Sequence, residues 1–315
     1  MTALLRALLH DAPAGESCAD LGVFWAAHAA RTAAIAAPFD RAVLGGFHAD
    51  RAAGAFAAGY VAALQALVPA LPRDRVVCLC ATEEGGVHPR AIATALRADG
   101  EGRYRLTGRK QFVTGGMDAA ELLVVVSAGT DAGGRNRLRV ARVAAGAAGV
   151  ALEAREPAPF APELRHAIVR LEEVLVAEDD LLPGDGYEGY LKPFRTIEDL
   201  HVLGALAGHV LAVARPRADA EPEAGARAVV EELCAVLVAL GALAAAPAGA
   251  AEVHVALAGV FARAGAWLDP EGEAWTGASA AARARWRRDA PLAEVAGSAR
   301  RQRAAAAWRR LGEAR

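Results

Sequence analysis

Tyr104-Arg105-Leu106-Thr107-Gly108-Arg109-Lys110-Gln111-Phe112-Val113-Thr114 is the stretch on which the reading of the fold turns. Apolar and β-branched residues flank a Thr-Gly-Arg-Lys centre, so it reads as two short strands, 103–106 and 111–114, joined by a hairpin turn. Upstream, Val76-Val77-Cys78-Leu79-Cys80-Ala81-Thr82 is a continuous apolar run that ends in a loop at Glu84-Gly85-Gly86, the pattern of a buried strand. Downstream, 122–126, 138–143, 150–154 and 167–176 repeat the strand pattern at short intervals bounded by turns. The spacing predicts a small antiparallel barrel or sandwich over 76–185, closed by Pro183-Gly184-Asp185-Gly186.

Both flanks read as helix. Residues 1–75 place apolar positions at helical spacing, punctuated by Pro13, Pro38, Gly45-Gly46, Pro69 and Pro72, and suit about three helices with a strong one over 52–67. Beyond 185 the pattern predicts helices over 196–214, 224–243, 250–268 and 292–310. Pro216, Pro247, Pro270 and Pro291 fall near the breaks, and four such helices suit an antiparallel bundle. The expectation is an α+β chain in three parts: a helical domain over 1–75, a β domain over 76–185 and a four-helix bundle over 186–315.

Composition narrows the function. The 315 residues are 54% hydrophobic and 23% charged, which excludes a disordered chain. A net charge of −2 offers no global basic field for nucleic acid. Lys110 and Lys192 are the only lysines, and arginine carries the rest of the basic count. Asp11 and Glu16 interrupt the apolar start before it could serve as a secretory signal, and the uncharged stretch 233–251 is too alanine-rich to span a bilayer. Cys18, Cys78, Cys80 and Cys234 form neither a disulfide framework nor a metal-binding spacing, which suits a reducing, cytoplasmic setting.

Three local motifs, in this order of helices, strands and bundle, resemble the acyl-CoA dehydrogenase family. Ala81-Thr82-Glu83-Glu84-Gly85-Gly86, with Thr94-Ala95 after it, is similar to the family's T-E-P-x-A-G-S-D and following T-x-A. The stretch 104–114 resembles y-x-l-x-G-x-K-x-[WF]-I-T. Leu171-Glu172-Glu173-Val174-Leu175-Val176 through Leu182-Pro183-Gly184 is similar to f-x-d-V-x-V-P…L-G. The likeness covers about 76–215 well and the ends loosely. It implies a flavoprotein with a shortened N-terminal part, assembling at least as a dimer. It implies oxidation of an acyl thioester, CoA- or carrier-bound, with FAD as cofactor and an electron-transfer flavoprotein or another acceptor as partner. It also implies that Leu79, Ala81, Thr82, Gly86, Phe112, Val113 and Thr114 hold the flavin. Phe112 would be its wall, and the Thr114 hydroxyl would lie near N5. From periodicity alone, Phe112 and Val113 read as ordinary barrel core, and only the resemblance sets the flavin reading level with it.

The chain also departs from the family pattern. Gly86-Val87-His88-Pro89 replaces G-S-D, and neither R-x-x-F-G nor Q-x-x-G-G, which hold the adenosine half of FAD, is recognisable. Arg215-Pro216-Arg217 stands at the first of these places. The glutamate base of the R-D-a…Y-E-G-T segment is replaced by Ala296. The alternative base position, as in isovaleryl-CoA dehydrogenase, falls on Glu198 when Gly204 and Gly208 are matched. Glu198 also reads as a helix-start acid behind a Thr196 N-cap. Asp199 then occupies a place where the family carries an arginine toward CoA, with Arg195 one turn away. A di-iron reading of Glu198-x-x-His201 fails, because the only other such pair, Glu163-x-x-His166, lies among the strands. Two functions stay open: an acyl-CoA dehydrogenase-like enzyme with Glu198 as base, or a degenerate, non-catalytic binding or partner subunit.

Overall fold

The computed structural model describes residues 1–86, 88–221 and 225–313; Val87 of the glycine loop and the expected helix start at Ala224 lie outside them. The chain forms two compact units. One comprises Met1–Ala66, Ala158–Glu163 and Thr196–Arg315, and the other Leu67–Pro157 and Leu164–Arg195.

The first unit is helical. It opens with α1 (Thr2–His10), α2 (Leu21–Thr32), α3 (Pro38–His48) and α4 (Ala52–Leu67). The Asp20 carboxylate caps α2 by accepting from the Val23 N–H at 3.1 Å, and Pro38 starts α3 at a position where no N–H is needed. Nearly every residue of α4 is buried, as an apolar pattern around the whole helix requires. The C-terminal part contains α5 (Lys192–Ala220), α6 (Gly225–Ala244), α7 (Ala251–Leu268), α8 (Ala280–Asp289) and α9 (Gly297–Glu313). Two expectations change here. The sequence predicts one last helix over 292–310, but residues 290–294 form a 3₁₀ segment and the helix starts at Gly297. The arginine-rich segment α8 is an additional helix, capped by the Ser279 hydroxyl on the Ala282 N–H at 3.1 Å and anchored by buried Trp286.

The expected end near Pro216 also moves, because α5 runs on to Ala220. The neighbouring Arg215 guanidinium is buried and donates to the carbonyls of Leu8, at 2.8 Å, and Asp11, which holds that turn in place. With the preceding turn, α5 spans Tyr187–Ala220 and is long and apolar enough to cross a membrane, yet 83% of its most apolar window is buried within the protein, as in a core helix.

The second unit is a seven-stranded sheet: β1 (Val77–Cys80), β2 (Ala95–Ala98), β3 (Arg103–Val113), β4 (Glu121–Thr130), β5 (Asn136–Ala144), β6 (Val150–Ala154) and β7 (Ala167–Ala177). The order is β1-β4-β2-β3-β7-β6, with β5 also on β4. Most pairs are antiparallel as expected, but β1 and β2 both run parallel to β4. Leu122 to Val126 are at most 1% exposed, so β4 is buried on both faces, which its unbroken apolar run anticipates. The predicted hairpin at 107–110 does not form; β3 passes straight through it as one strand of 11 residues. Glycine serves close packing there rather than a turn, since a Cβ on Gly108 would lie 2.5 Å from Thr94 Oγ1. Lys110 faces the interior with no exposed surface.

Candidate functional site

The end of β3 is built around a β-bulge. Lys110 pairs with Val169 and Val113 with Ala167, so Gln111 and Phe112 together oppose Ile168 alone. The bulge lets both Lys110 and Val113 point into the unit, each fully buried. It also turns Phe112 outward. Phe112 has φ +50°, a left-handed conformation costing an L-residue about 1–2 kcal/mol, and its side chain is 57% exposed. Phe112 is therefore not barrel core, whereas Val113 is.

The loop after β1 is tied to this bulge. The Gln111 N–H donates to the Thr82 carbonyl at 2.7 Å, and the Cys78 thiol donates to the Thr114 carbonyl at 3.0 Å. Leu79, Ala81, Thr82, Gly86 and Thr114 are all half-buried. Gly86 closes a tight turn with Glu83 through reciprocal backbone hydrogen bonds of 2.9 and 3.1 Å, and its φ of +99° demands glycine. Thr82 is thus tied to Gln111, and Thr114 to Cys78 of β1. His88 is a surface residue; its Nδ1 accepts from the Arg90 N–H at 3.2 Å at the start of a short 3₁₀ turn.

A buried ion pair sets the frame. Lys110 Nζ donates to Glu83 Oε1 at 2.6 Å and to the Val125 carbonyl at 2.5 Å. The same carboxylate accepts from Ala93 N at 2.8 Å, Thr94 N at 3.1 Å and Thr94 Oγ1 at 2.7 Å. Burial alone would raise the Glu83 pKa; Lys110 and the donors outweigh it and hold it below the ordinary carboxylate range. The sequence motif contains Glu83, Thr94 and Lys110, but nothing in the spacing announces that one carboxylate joins all three.

Two further residues at this end of the unit are not assigned to the site by the sequence. The Arg155 guanidinium lies 3.6 Å from the centre of the Phe112 ring, and its Nη1 donates to Gln111 Oε1 at 2.9 Å. Beside it His166 has a buried Nδ1 with no hydrogen-bond partner among the described residues. Burial, then the Arg155 charge, lowers the His166 pKa, so the ring is neutral near pH 7. An exposed aromatic wall, a half-buried threonine and an orphaned imidazole nitrogen suit the ring of a flavin, which is flat and carries hydrogen-bonding atoms on its edge.

The places where the family holds the adenosine half fit less well. Arg215 Nη1 is held by the Leu8 and Asp11 carbonyls, and Arg217 pairs with Glu273 at 2.6 Å and Glu221 at 3.4 Å. A separate cavity of about 500 Å³ in the β unit is lined by His88, Arg90, Arg135, Asn136, Glu188 and Arg195. Glu188 is occupied by Lys192 at 2.7 Å, and Arg135 approaches it only to 3.9 Å. The cavity therefore presents a net positive lining.

In the helical unit, Glu198 is half-buried in the interior of α5. The helix begins at Lys192, preceded by a π-turn over Tyr187–Leu191, so Thr196 is not an N-cap and Glu198 is not a helix-start acid. Thr196 itself is 1% exposed. Asp199 faces α9. It is 6% exposed and ion-paired with Arg300, at 3.1 Å, and Arg303 of α9, although burial still raises its pKa. Ala296 sits in the turn before α9.

Neither a protein-family profile nor a curated protein sequence matches the chain. Solved structures do. Butyryl-CoA dehydrogenase from Megasphaera elsdenii matches with a TM-score of 0.66 at 14% identity, over 98% of this chain and 89% of that one. The prolyl acyl carrier protein oxidase AnaB matches at 0.57 and 16%, over 81% and 78%. FMN-bound TdsC from Paenibacillus sp. A11-2 matches at 0.61 and 16%, over 81% and 78%. The chain has the acyl-CoA dehydrogenase-like fold.

Proposed function

We propose that the protein is a flavin-dependent oxidoreductase acting on an acyl thioester. The observation that carries this reading is the outward Phe112 in its strained bulge, since left-handed backbone at a bulky residue is most often kept where a site needs it. Thr114, Thr82 and Gly86 frame the same end of the β unit. Leu79 and Ala81 would line the slot, and fully buried Val113 would support it from beneath. When bound, the flavin supplies the hydride acceptor. Glu198 is the carboxylate we assign to α-proton removal, because Ala296 cannot do it and the helix-start role is gone. The positively lined cavity at Arg90, Arg135 and Arg195 suits the phosphate of a CoA or phosphopantetheine thioester.

FAD and FMN are both compatible with the ring site, and Arg215, buried with its Nη1 on the Leu8 and Asp11 carbonyls, favours a flavin held mainly by its ring. Electrons would pass to an electron-transfer flavoprotein or another soluble acceptor. Cys18, Cys78, Cys80 and Cys234 are not joined in disulfides, which accords with a cytoplasmic setting. Trp308 and Val295, 61% and 69% exposed, accord with a dimer or higher oligomer. Ala296 and the inward-held Arg215 favour a second reading, a non-catalytic binding subunit. Proton exchange separates the two. The wild type should exchange the α-protons of butyryl-CoA or a pantetheine thioester with solvent deuterium, and Glu198→Gln should stop the exchange while leaving flavin bound. Flavin binding without exchange in the wild type would favour the second reading.

A further inference from the structure

The outer face of the β3–β7–β6 ribbon carries a row of groups that the fold assembles from three separate stretches of chain. Val113 pairs with Ala167, and Ala167 with Ala154, so their neighbours lie side by side in the next row. There the Arg155 N–H donates to the His166 carbonyl at 3.0 Å. Ala167 and Val169 point inward with no exposed surface, which turns His166 and Ile168 to the opposite face, the one that carries the bulged Gln111 and Phe112. Arg155 reaches across β7 to lie on Phe112 and bond to Gln111. A flat cation, a flat exposed aromatic ring and an imidazole nitrogen with no partner among the described residues thus share one patch about three strands wide.

This patch has unspent hydrogen-bonding capacity. Arg155 carries five N–H donors, and Gln111 takes one of them. A buried imidazole nitrogen left without a partner costs about 1–3 kcal/mol, which a ligand could recover. The complementary ligand is flat, so that it can share the Phe112 face, and carries acceptors along one edge. We propose that Arg155 and His166 contact the polar edge of the flavin ring, reading its carbonyl and nitrogen atoms while Phe112 packs against the ring. The inference rests on the flavin reading above and adds two residues to it. Arg155 also brings positive charge toward the ring edge, where negative charge accumulates on reduction.

The test uses the full-length chain titrated with riboflavin, FMN and FAD, following quenching of flavin fluorescence. Arg155→Met and His166→Ala should each weaken binding roughly tenfold or more, consistent with the loss of a hydrogen bond involving a charged or buried group. Arg155→Lys, which keeps the charge but not the flat fork, should recover only part of the loss. The effect should be of similar size for all three flavins, because the ring is common to them. In wild-type protein the ¹H–¹⁵N signals of the His166 imidazole should shift on addition of FMN, a readout that needs no variant to fold. Wild type that binds flavin, with variants binding equally well and His166 signals unmoved, overturns this inference and leaves the flavin reading standing. Losses seen with FMN and FAD but absent with riboflavin would assign Arg155 to the phosphate and overturn the ring-edge assignment. Wild type that binds none of the three overturns both.

Discussion

Lys110→Met should destabilise the β unit by about 3–5 kcal/mol at pH 7, the usual cost of removing one partner from a buried ion pair. The lysine has no exposed surface, and its Nζ stands 2.6 Å from Glu83 Oε1. At that separation and an effective dielectric near 20, the attraction is about 6 kcal/mol, offset by several kcal/mol for burying the ammonium. Removing Lys110 leaves the carboxylate with Ala93 N, Thr94 N and Thr94 Oγ1, so the charge is hydrogen-bonded but no longer neutralised. The cost should depend on pH in a defined direction. In wild type the folded-state pKa of Glu83 is depressed, so its contribution is present above the ordinary carboxylate range and fades as pH falls through the folded value. In Lys110→Met the carboxylate pKa rises instead, because it can escape its charge only by protonation, and the gap from wild type should narrow toward pH 4–5. Adding Glu83→Gln to Lys110→Met should restore most of the loss, since no lone charge then remains buried. Urea unfolding followed by circular dichroism measures all three proteins. A loss below about 1 kcal/mol for Lys110→Met, or a double variant no better than the single, would refute the reasoning.

Four further outcomes follow from the geometry. His28, His201 and His209 are held neutral by burial, each with its pKa lowered to about 4, so the unfolded chain binds protons that the folded one does not. Stability should therefore be full above pH 6.5 and fall by up to about 3 kcal/mol per histidine on the way to pH 4; a helical signal equally resistant to urea at pH 7 and pH 5 would contradict this. Phe112→Gly should relieve about 1 kcal/mol of left-handed strain and give up a cation–π contact of about 0.5–1 kcal/mol, leaving stability near neutral while flavin affinity drops. A loss above 2 kcal/mol by thermal unfolding would return Phe112 to a packing role. Asp199→Ala should destabilise the helical unit by stranding Arg300 and Arg303 and should leave flavin affinity in place, read by denaturation alongside flavin titration. Sedimentation of the purified chain at micromolar concentration should give a dimer or larger species, and a monomer would remove the assembly proposal.

The sequence made legible what depends on local pattern. The apolar run 122–126 is unmistakably a buried strand, and the all-round apolar stretch 52–67 matches α4 end to end. The misreadings share one cause, a long-range partner that overrides a local signal. Thr-Gly-Arg-Lys looks like a turn because its residues are polar, yet Lys110 is buried by virtue of Glu83, far upstream. Thr196 looks like a cap because the π-turn over Tyr187–Leu191, which moves the helix start forward, has no sequence signature that periodicity detects. Asp199 looks misplaced beside a ligand until α9 supplies Arg300 and Arg303. The sequence gives no sign that Arg155 and His166 belong to the Phe112 end of β3, since only strand register sets them there.

The central claim is that the β unit of this fold holds a flavin at the Phe112–Thr114 end of β3. The direct measurement is the absorbance spectrum of the full-length protein after incubation with FAD or FMN and removal of free flavin. A yellow protein retaining close to one flavin per chain is expected, with bands displaced from those of the free cofactor and displaced differently in Thr114→Val. A colourless protein after incubation with either flavin, or one whose flavin spectrum is identical in wild type and Thr114→Val, would contradict it.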